Sequence, residues 1–229
     1  MKHQICLLPR LSGLGGMVSF QAKFIQGLDA RQIPHTFDLS QPANTAVLVI
    51  GGTRHLWQLW RARRRGLRIY QRLNGMNWMH RLEKTPSRLT LKAELNNLTL
   101  AFIRRYLADG IIYQSGFSQD WWRRVYGPEK TATHVAYNGI DLDQYSPEGE
   151  EVPPEDHYRI LLVEGHLTGA YARGLETAVR LVETLQPMCD RPLELMVVGD
   201  ASQEWVDRFN ARNDLWITWR GILPREEIP

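Results

Sequence analysis

Two kinds of segment alternate along this chain of 229 residues: short apolar runs of strand length, and longer stretches with the period of an amphipathic helix. The clearest run, residues 45–50, is rich in β-branched side chains and ends at Gly51-Gly52, which is typical of a strand buried in a parallel sheet. Helical spacing begins at Met17, after a first run at residues 3–8. This alternation predicts an α/β protein with a doubly wound, Rossmann-like parallel sheet.

An acidic segment with three prolines, residues 144–157, divides the alternation into two parts and has the composition of a linker. We therefore predict a first Rossmann-like domain over residues 1–143 and a second unit over residues 158–229. The second unit has about three predicted strands, whereas a doubly wound sheet usually has about six. It is predicted to be incomplete, with an edge that a longer chain, a partner or self-association would cover.

The pattern predicts three further local features. Residues 37–39 are expected to form a short second strand, and residues 89–108 a long amphipathic helix. Ser118 is expected to cap a helix that extends to Tyr126, because a serine often precedes the first turn.

Charge is distributed unevenly along the chain. Residues 1–150 hold 20 of the 28 Lys and Arg but 11 of the 25 Asp and Glu, a net charge of +9, whereas residues 151–229 carry −6. The basic part favours an anionic partner such as a phosphorylated substrate, a membrane surface or nucleic acid. No apolar run approaches the length of a transmembrane helix, and Cys6 and Cys189 are too few for a disulfide scaffold. We expect a cytoplasmic protein, with peripheral binding to a membrane as an open alternative.

A glycine-rich loop lies between the first predicted strand and the first helix, and contains Gly13, Gly15 and Gly16. Glycines allow the backbone to approach a ligand, and the free N–H groups of the helix that follows favour phosphate. The loop is not a dinucleotide fingerprint, because Val18 occupies the third glycine position. A tight turn without a ligand is the alternative.

A second glycine-containing loop, residues 165–174, also lies between a predicted strand and a predicted helix. His166 and Arg173 supply cationic donors there, and an anionic diphosphate would suit them. The alternative is a surface loop without a ligand.

Other candidate sites are weaker. Asp141 and Asp143 have the spacing of a metal-binding carboxylate pair, but their position after Asn138-Gly139 favours solvated acids in a turn. The histidines lack zinc spacing, and Ser115 is not part of a G-x-S-x-G nucleophile turn. We predict no metal site, and the pattern identifies no catalytic residue.

Tryptophan and arginine cluster in residues 57–65 and 121–124. Such clusters suit a membrane interface or stacked nucleic-acid bases, and the alternative is a solvated helix face with its tryptophans in the core. Nucleic acid is disfavoured because no recognition module is present.

Four segments, taken in order, together resemble the retaining glycosyltransferases of family 4, which have the two-domain GT-B fold. They are Gly15-Gly16 at the start of the first helix, residues 70–75, residues 138–141 with Tyr145 and Pro147, and residues 165–175 with residues 197–200 and Gly221.

The resemblance implies transfer of a sugar from a nucleoside-diphosphate sugar to an acceptor, with retained anomeric configuration and without a metal. The nucleotide sugar is the co-substrate, and no other cofactor is implied. The sequence does not identify the acceptor; a lipid-linked or membrane-surface acceptor is one hypothesis, because the acceptor-side domain is basic and bears tryptophans. The residues assigned are Gly15, Gly16, His166, Arg173 and Gly174 to the donor phosphates, Arg72 and Asn74 to the acceptor or sugar, and Asn138 and Asp141 to the interdomain segment.

The sequence departs from the family in two places. His166 and Arg173 stand where the family often has arginine and lysine, and the family's E-x7-E segment has no counterpart before Pro229. The chain is therefore expected to match the N-terminal domain and the first half of the donor domain. Three alternatives stay open: a non-catalytic nucleotide-sugar-binding fragment, a basic nucleic-acid-binding protein, and a GT-B fold used for another reaction on a nucleotide sugar, such as epimerisation.

Overall fold

The computed structural model describes residues 3–13, 15–82, 87–143, 145, 152–168, 172–224 and 227. The chain divides into two compact units, Met1–Gly139 and Ile140–Pro229. Half of the predicted linker, residues 144 and 146–151, lies outside the described residues. Each unit has its own sheet and its own hydrophobic core, so the two are described separately.

The first unit is built on a six-stranded parallel sheet with the order β2-β1-β3-β4-β5-β6. Its strands are β1 (Gln4–Leu8), β2 (His35–Thr36), β3 (Asn44–Ile50), β4 (Arg68–Leu73), β5 (Gly110–Tyr113) and β6 (Ala132–Val135). The helices that connect them are α1 (Gly16–Ala30), α2 (Leu56–Arg64), α3 (Met79–Leu82), α4 (Ser87–Phe102) and α5 (Gly116–Tyr126).

Helices cover both faces of this sheet, which confirms the predicted doubly wound architecture. On one face, Phe20 and Phe24 of α1 pack against the β1 and β3 side chains Leu7, Leu48 and Ile50. On the other face, α2, α4 and α5 pack against the residues that alternate with these in the pleat, such as Cys6, Val47, Val49, Leu73 and Ile111. The apolar runs are continuous because both sides of the central strands are buried.

A buried charge cluster joins the end of α4 to the loop before β6. A π-helical turn, Ile103–Leu107, continues α4 and places Arg104 beside Glu129, with Nη2 2.9 Å from the carboxylate. Tyr113 donates to the same carboxylate and Arg123 binds its other oxygen. Burial acts to raise the pKa of Glu129, but the hydrogen bonds from Tyr113 and Arg123 outweigh it and lower that pKa to about 2.

The second unit has a three-stranded parallel sheet, β7-β8-β9, as its strand count predicted. Its elements are β7 (Tyr158–Leu167), α6 (Ala172–Leu185), β8 (Leu193–Ala201), α7 (Gln203–Asn210) and β9 (Trp216–Gly221), with a short 3-10 turn at Gln186–Met188. The helices α6 and α7 pack on the face that carries Leu195 and Val197.

Strands β7 and β8 approach very closely at Gly199. Its φ is +150°, and a Cβ atom there would lie 1.9 Å from the carbonyl oxygen of Glu164. Only glycine fits this position, where the register between the two strands also shifts.

Several local expectations need correction. The short second strand is His35–Thr36 and not residues 37–39. Residues 165–167 continue β7 and Gly174 lies in α6, so the predicted loop 165–174 is much shorter. Ser118 is not the cap of α5: the helix begins at Gly116, and the Ser115 side chain accepts from the backbone N–H of Ser118.

In the part of the chain that the structure describes, no helix has both the length and the apolar character needed to cross a membrane.

Candidate functional site

The strand order of the first unit marks one crevice at the carboxyl edge of its sheet. From β1 the chain passes outward to β2, whereas from β3 it proceeds in the opposite direction to β4, β5 and β6. Ligands of open α/β sheets bind where such connections diverge, outside the carboxyl ends of the strands. Here that point lies between the ends of β1 and β3, at Leu8 and Ile50.

The glycine-rich loop predicted from the sequence lies at this crevice, immediately before α1. Gly13 and Gly15 have φ values of +88° and +120°, so both positions favour glycine, and Gly15 is the N-terminal cap of α1 without a side-chain hydrogen bond. Apart from its two chain neighbours and the backbone of its own helix, no described residue has an atom within 4 Å of where a Cβ of Gly16 would stand. The first turn of α1 therefore faces open space with its N–H groups available to an anion.

Gln21 fixes the start of this loop to α1. Its side chain is buried, its Nε2 donates to the carbonyl oxygen of Pro9 at 2.8 Å, and its Oε1 accepts from the backbone N–H of Leu11 at 2.9 Å. Both polar atoms of the amide are thus used to set the path of the chain between β1 and α1.

Arg72, near the end of β4, is the central charged group of the crevice. It is only 2% exposed, and in register it lies between Ile50 of β3 and Ile112 of β5. Its guanidinium carbon lies 3.7 Å from the centre of the Phe20 ring, which α1 supplies. The side chain therefore crosses the face of the sheet toward the first turns of α1.

Amide oxygens from three successive strand ends surround this guanidinium. Nη1 donates to Oδ1 of Asn74 at 2.5 Å, and Nη2 donates to Oδ1 of Asn138 at 2.6 Å and to Oε1 of Gln114 at 3.4 Å. These three residues follow β4, β5 and β6, whose carboxyl ends meet at one edge. We call Arg72, Phe20, Asn74, Gln114 and Asn138 the Arg72 site.

Helix α5 holds Asn74 in place through its backbone. The Asn74 carbonyl oxygen accepts from Oγ of Ser118 at 2.9 Å and from the indole nitrogen of Trp122 at 2.7 Å. Both donors are buried, which leaves the Asn74 side chain to face Arg72. Ser118 therefore supports the site rather than capping its helix.

The electrostatics of the Arg72 site are unusual for a buried arginine. Among the described residues, no carboxylate lies within ion-pair distance of Arg72, so its charge is balanced only by neutral oxygens and by the Phe20 ring. Burial lowers the pKa of its guanidinium. A buried charge without an opposite charge is costly, and an anionic ligand would offset that cost.

The other predicted site residues, Asp141, His166, Arg173 and Gly174, belong to the second unit. Asp141 is exposed, and its carboxylate accepts from the backbone N–H of Asp143 in a local turn. His166 is at the end of β7, where its Nδ1 lies 3.7 Å from Oδ2 of exposed Asp200. Arg173 and Gly174 are exposed residues of the first turn of α6. Their assignment to donor binding stays a prediction.

No group of three or more metal-ligating side chains comes together in the described ranges.

Comparison with known proteins leaves the family open. No protein-family model matches the chain, and no curated protein matches it. Among solved structures, the chain is similar to UDP-N-acetylglucosamine 2-epimerase from Rickettsia bellii, with a TM-score of 0.44 and 11% sequence identity, over 99% of this chain and 70% of that chain. A likeness this weak assigns neither a family nor a function, and the resemblance to family 4 glycosyltransferases stays a prediction.

Sequence reasoning missed three members of the crevice: Phe20, Gln21 and Gln114. In the sequence, Phe20 is recognisable only as an apolar position of a helix, and Gln21 only as a polar position between apolar neighbours. Gln114 is the last residue of a strand predicted at residues 110–114. Its position at the carboxyl end of a strand, like that of Asn74, is the signal that could have identified it.

Proposed function

We propose that the protein transfers a sugar from a nucleoside-diphosphate sugar to an acceptor, with retention of configuration, and that Arg72 binds an anionic group of a substrate. The observation that carries this proposal is the buried guanidinium of Arg72, surrounded by amide oxygens and aligned on Phe20. Such a group is prepared for an anion, because its hydrogen-bonding directions are already fixed and its hydration is already lost.

The first turn of α1 supports a phosphate at the same place. The Sδ atom of Met17 lies 3.4 Å from where a Cβ of Gly51 would stand, and the N–H of Gly51 donates to the carbonyl oxygen of Arg72 at 2.8 Å. The Met17 side chain of α1 thus packs beside the end of β3, and the backbone there is hydrogen-bonded to the end of β4. A phosphate beside Gly16 would meet the positive end of the α1 dipole on the sheet face that carries Arg72.

This arrangement matches the charge that develops in sugar transfer. When the bond between the sugar and the diphosphate breaks, negative charge grows on the leaving oxygens. A fixed guanidinium and fixed backbone N–H groups stabilise that charge without reorganising, because the fold has already oriented them. We assign no general base, since no described residue has the geometry that would define one.

Exposed aromatic rings beside the carboxyl edge support a sugar-containing ligand. Phe117 lies in the first turn of α5 and is 73% exposed, and its ring stacks on Trp121 with 5.7 Å between centroids. Tyr137 is equally exposed, and its hydroxyl lies 3.8 Å from where a Cβ of Gly116 would stand. Rings at the rim of a polar crevice give a sugar an apolar face to pack on while its hydroxyls bind amides.

Thermal stabilisation by nucleotides tests the binding half of the proposal. UDP, GDP, ADP and their sugar conjugates are added to the whole chain at increasing concentration. A nucleotide at ~100 times its dissociation constant adds about 2.7 kcal/mol to the unfolding free energy. Gly16→Val fills the open space before α1 and should abolish the shift. Gly27→Val, the same change near the other end of α1 where the nearest atom belongs to the flexible Arg31 side chain, is the matched control.

Product analysis tests the transfer half. The nucleotide that stabilises the protein is supplied as its sugar conjugate with lipid-linked and soluble acceptors, and the anomeric configuration of the product is measured by NMR. A product with retained configuration supports the proposal. Binding without transfer favours the non-catalytic alternative, formation of an epimerised nucleotide sugar favours the epimerase alternative, and stabilisation by no nucleotide contradicts the anion site.

A further inference from the structure

We propose that the first unit binds the surface of an anionic lipid bilayer through the outward faces of α2 and α4. This surface lies on the side of the sheet opposite α1, away from the Arg72 site, and the inference stands independently of the proposed sugar transfer. We call it the α2–α4 surface; its apolar members are Trp57, Trp60, Leu91, Leu95, Leu98, Phe102 and Tyr106.

The first observation is an exposed apolar stripe along α4 and the π-helical turn that follows. Its five members, Leu91, Leu95, Leu98, Phe102 and Tyr106, are between 43% and 61% exposed. Their spacing of three and four residues places them on one side of the helix. Leu100, Ile103 and Leu107 on the opposite side are buried, so the core beneath α4 is complete without the stripe.

The second observation is a tryptophan pair on α2 that continues the stripe. Trp57 and Trp60 stack at 4.6 Å between centroids and are 65% and 39% exposed. A groove lined by Trp60, Phe102 and Tyr106 joins the two helices, and an adjoining hollow is lined by Leu95 and Leu98. The result is one contiguous apolar surface, of a kind that marks an interaction site when it is rimmed by polar residues.

The third observation is the charge at the rim. Arg61, Arg64, Arg65, Lys92 and Arg105 are all exposed around the apolar side chains. Arg64 also lies over the Trp60 ring, with its guanidinium carbon 5.3 Å from the ring centre.

Carboxylates do not offset this charge. Residues 54–68 contain no Asp or Glu, and residues 87–109 contain only Glu94 and Asp109. Both carboxylates already have basic side chains as partners: Glu94 accepts from Arg81 and contacts His80, and Asp109 accepts from Arg63. In these two segments, arginine and lysine therefore outnumber the carboxylates around the α2–α4 surface.

This chemistry favours a bilayer over a second copy of the chain. Interfacial helices combine a leucine and tryptophan face with flanking lysine and arginine, and they bind anionic lipids through buried apolar area and electrostatic attraction together. Two copies joined through the same surface would instead bring their arginine rims together. Arg63 also donates to the carbonyl oxygen of Tyr106 at 2.6 Å, so α2 and the end of α4 would approach a membrane as one rigid face.

Co-sedimentation with vesicles tests this proposal. The whole chain is mixed with vesicles of phosphatidylcholine alone or with 30% phosphatidylglycerol, at low salt and in 0.5 M salt. We expect binding to the anionic vesicles at low salt, weakened by high salt, and little binding to the neutral ones. Arg61→Gln combined with Arg64→Gln should weaken binding about 30-fold (about 2 kcal/mol), because each basic residue near an anionic surface contributes about 1 kcal/mol.

Apolar variants and a self-association measurement complete the design. Leu98→Ser and Trp57→Ala replace exposed side chains and should reduce binding while leaving the unfolding transition in place. Leu181→Ser, at a leucine of similar exposure on α6 of the second unit, should have no effect on binding. Absence of binding to anionic vesicles, or binding that Leu98→Ser and Trp57→Ala leave unchanged, would overturn the proposal. A dimer in sedimentation velocity that the same two variants dissociate would assign the surface to a second copy instead.

Discussion

Replacing Arg72 by methionine would separate a ligand-binding role from a structural one. The side chain is 2% exposed and lies on the Phe20 ring, so methionine, which is unbranched and of similar length, can keep much of that packing. The change removes the positive charge and its hydrogen bonds to Asn74 and Asn138. Its consequences for the unliganded protein and for ligand affinity should therefore differ.

Two opposing contributions set the stability of the unliganded Arg72→Met protein. The loss of hydrogen bonds from a charged donor costs about 1.5–3 kcal/mol each. Removing a buried ion that has no carboxylate partner also removes a desolvation penalty of several kcal/mol, which stabilises the folded protein. These nearly cancel, and we expect the free energy of unfolding to change by less than about 2 kcal/mol. Affinity has no such compensation: losing one charge-assisted hydrogen bond to a phosphate weakens binding about 10-fold to 150-fold.

Arg104→Met is the matched control, since Arg104 is equally buried but is paired with Glu129. Breaking that buried pair removes one of the two cations bound to the buried Glu129 carboxylate and should cost about 3–5 kcal/mol. Urea unfolding followed by circular dichroism gives the stabilities, and calorimetric titration with the stabilising nucleotide gives the affinities. If Arg72→Met lost as much stability as Arg104→Met and bound nucleotide as tightly as the wild type, Arg72 would be a structural residue and the anion site would be wrong.

Three further predictions concern stability and are measured by the same urea unfolding. Glu129→Gln should cost about 3 kcal/mol or more, because it breaks a buried ion pair, whereas Glu94→Gln, in a partly exposed pair, should cost at most about 1 kcal/mol. Hydrogen bonds hold the pKa of Glu129 at about 2, against a usual value of 4.5. Its contribution to the free energy of unfolding is therefore complete above pH 4.5 and is lost as pH falls toward 2. The difference in unfolding free energy between wild type and Glu129→Gln should shrink over that range, and a constant difference would refute this prediction. Gly199→Ala should destabilise the second unit by several kcal/mol, because the new Cβ would overlap the carbonyl oxygen of Glu164 at a positive φ, whereas Gly174→Ala, in open space on α6, should change stability by no more than about 1 kcal/mol.

Much of the fold followed from local sequence because the elements carry strong signals. The run at residues 45–50 became β3 since a β-branched apolar segment bounded by glycines has few alternatives. The apolar pattern of residues 67–73 likewise predicts a strand that Asn74-Gly75 ends, so Arg72 and Asn74 fall at its carboxyl end. The structure puts their side chains within hydrogen-bonding distance of each other.

Assembly of the site across distant segments was not accessible in the same way. Asn138 was predicted to belong to the interdomain segment, yet its amide oxygen accepts from Arg72, 66 residues earlier in the chain. The prediction that Ser118 caps α5 was wrong for a related reason. The Ser118 hydroxyl donates to the carbonyl oxygen of Asn74, and Ser115 caps the helix instead. Both cases depend on which strand ends become neighbours, and periodicity alone does not specify that.

The pleat of β4 connects the two functional surfaces proposed for the first unit. Arg72 points to the α1 face and stacks on Phe20, whereas its neighbour Gln71 points to the other face, where Nε2 donates to the carbonyl oxygens of Gly51 and of Leu100 in α4. Successive residues of one strand thus support the anion crevice and the helix of the α2–α4 surface. Gln71 holds α4, at Leu100, against the end of β3. When a bilayer binds the exposed side of α4, Leu100 should therefore stay where it is, and so should Arg72. The two surfaces are therefore expected to bind independently, and nucleotide affinity should be the same with and without anionic vesicles.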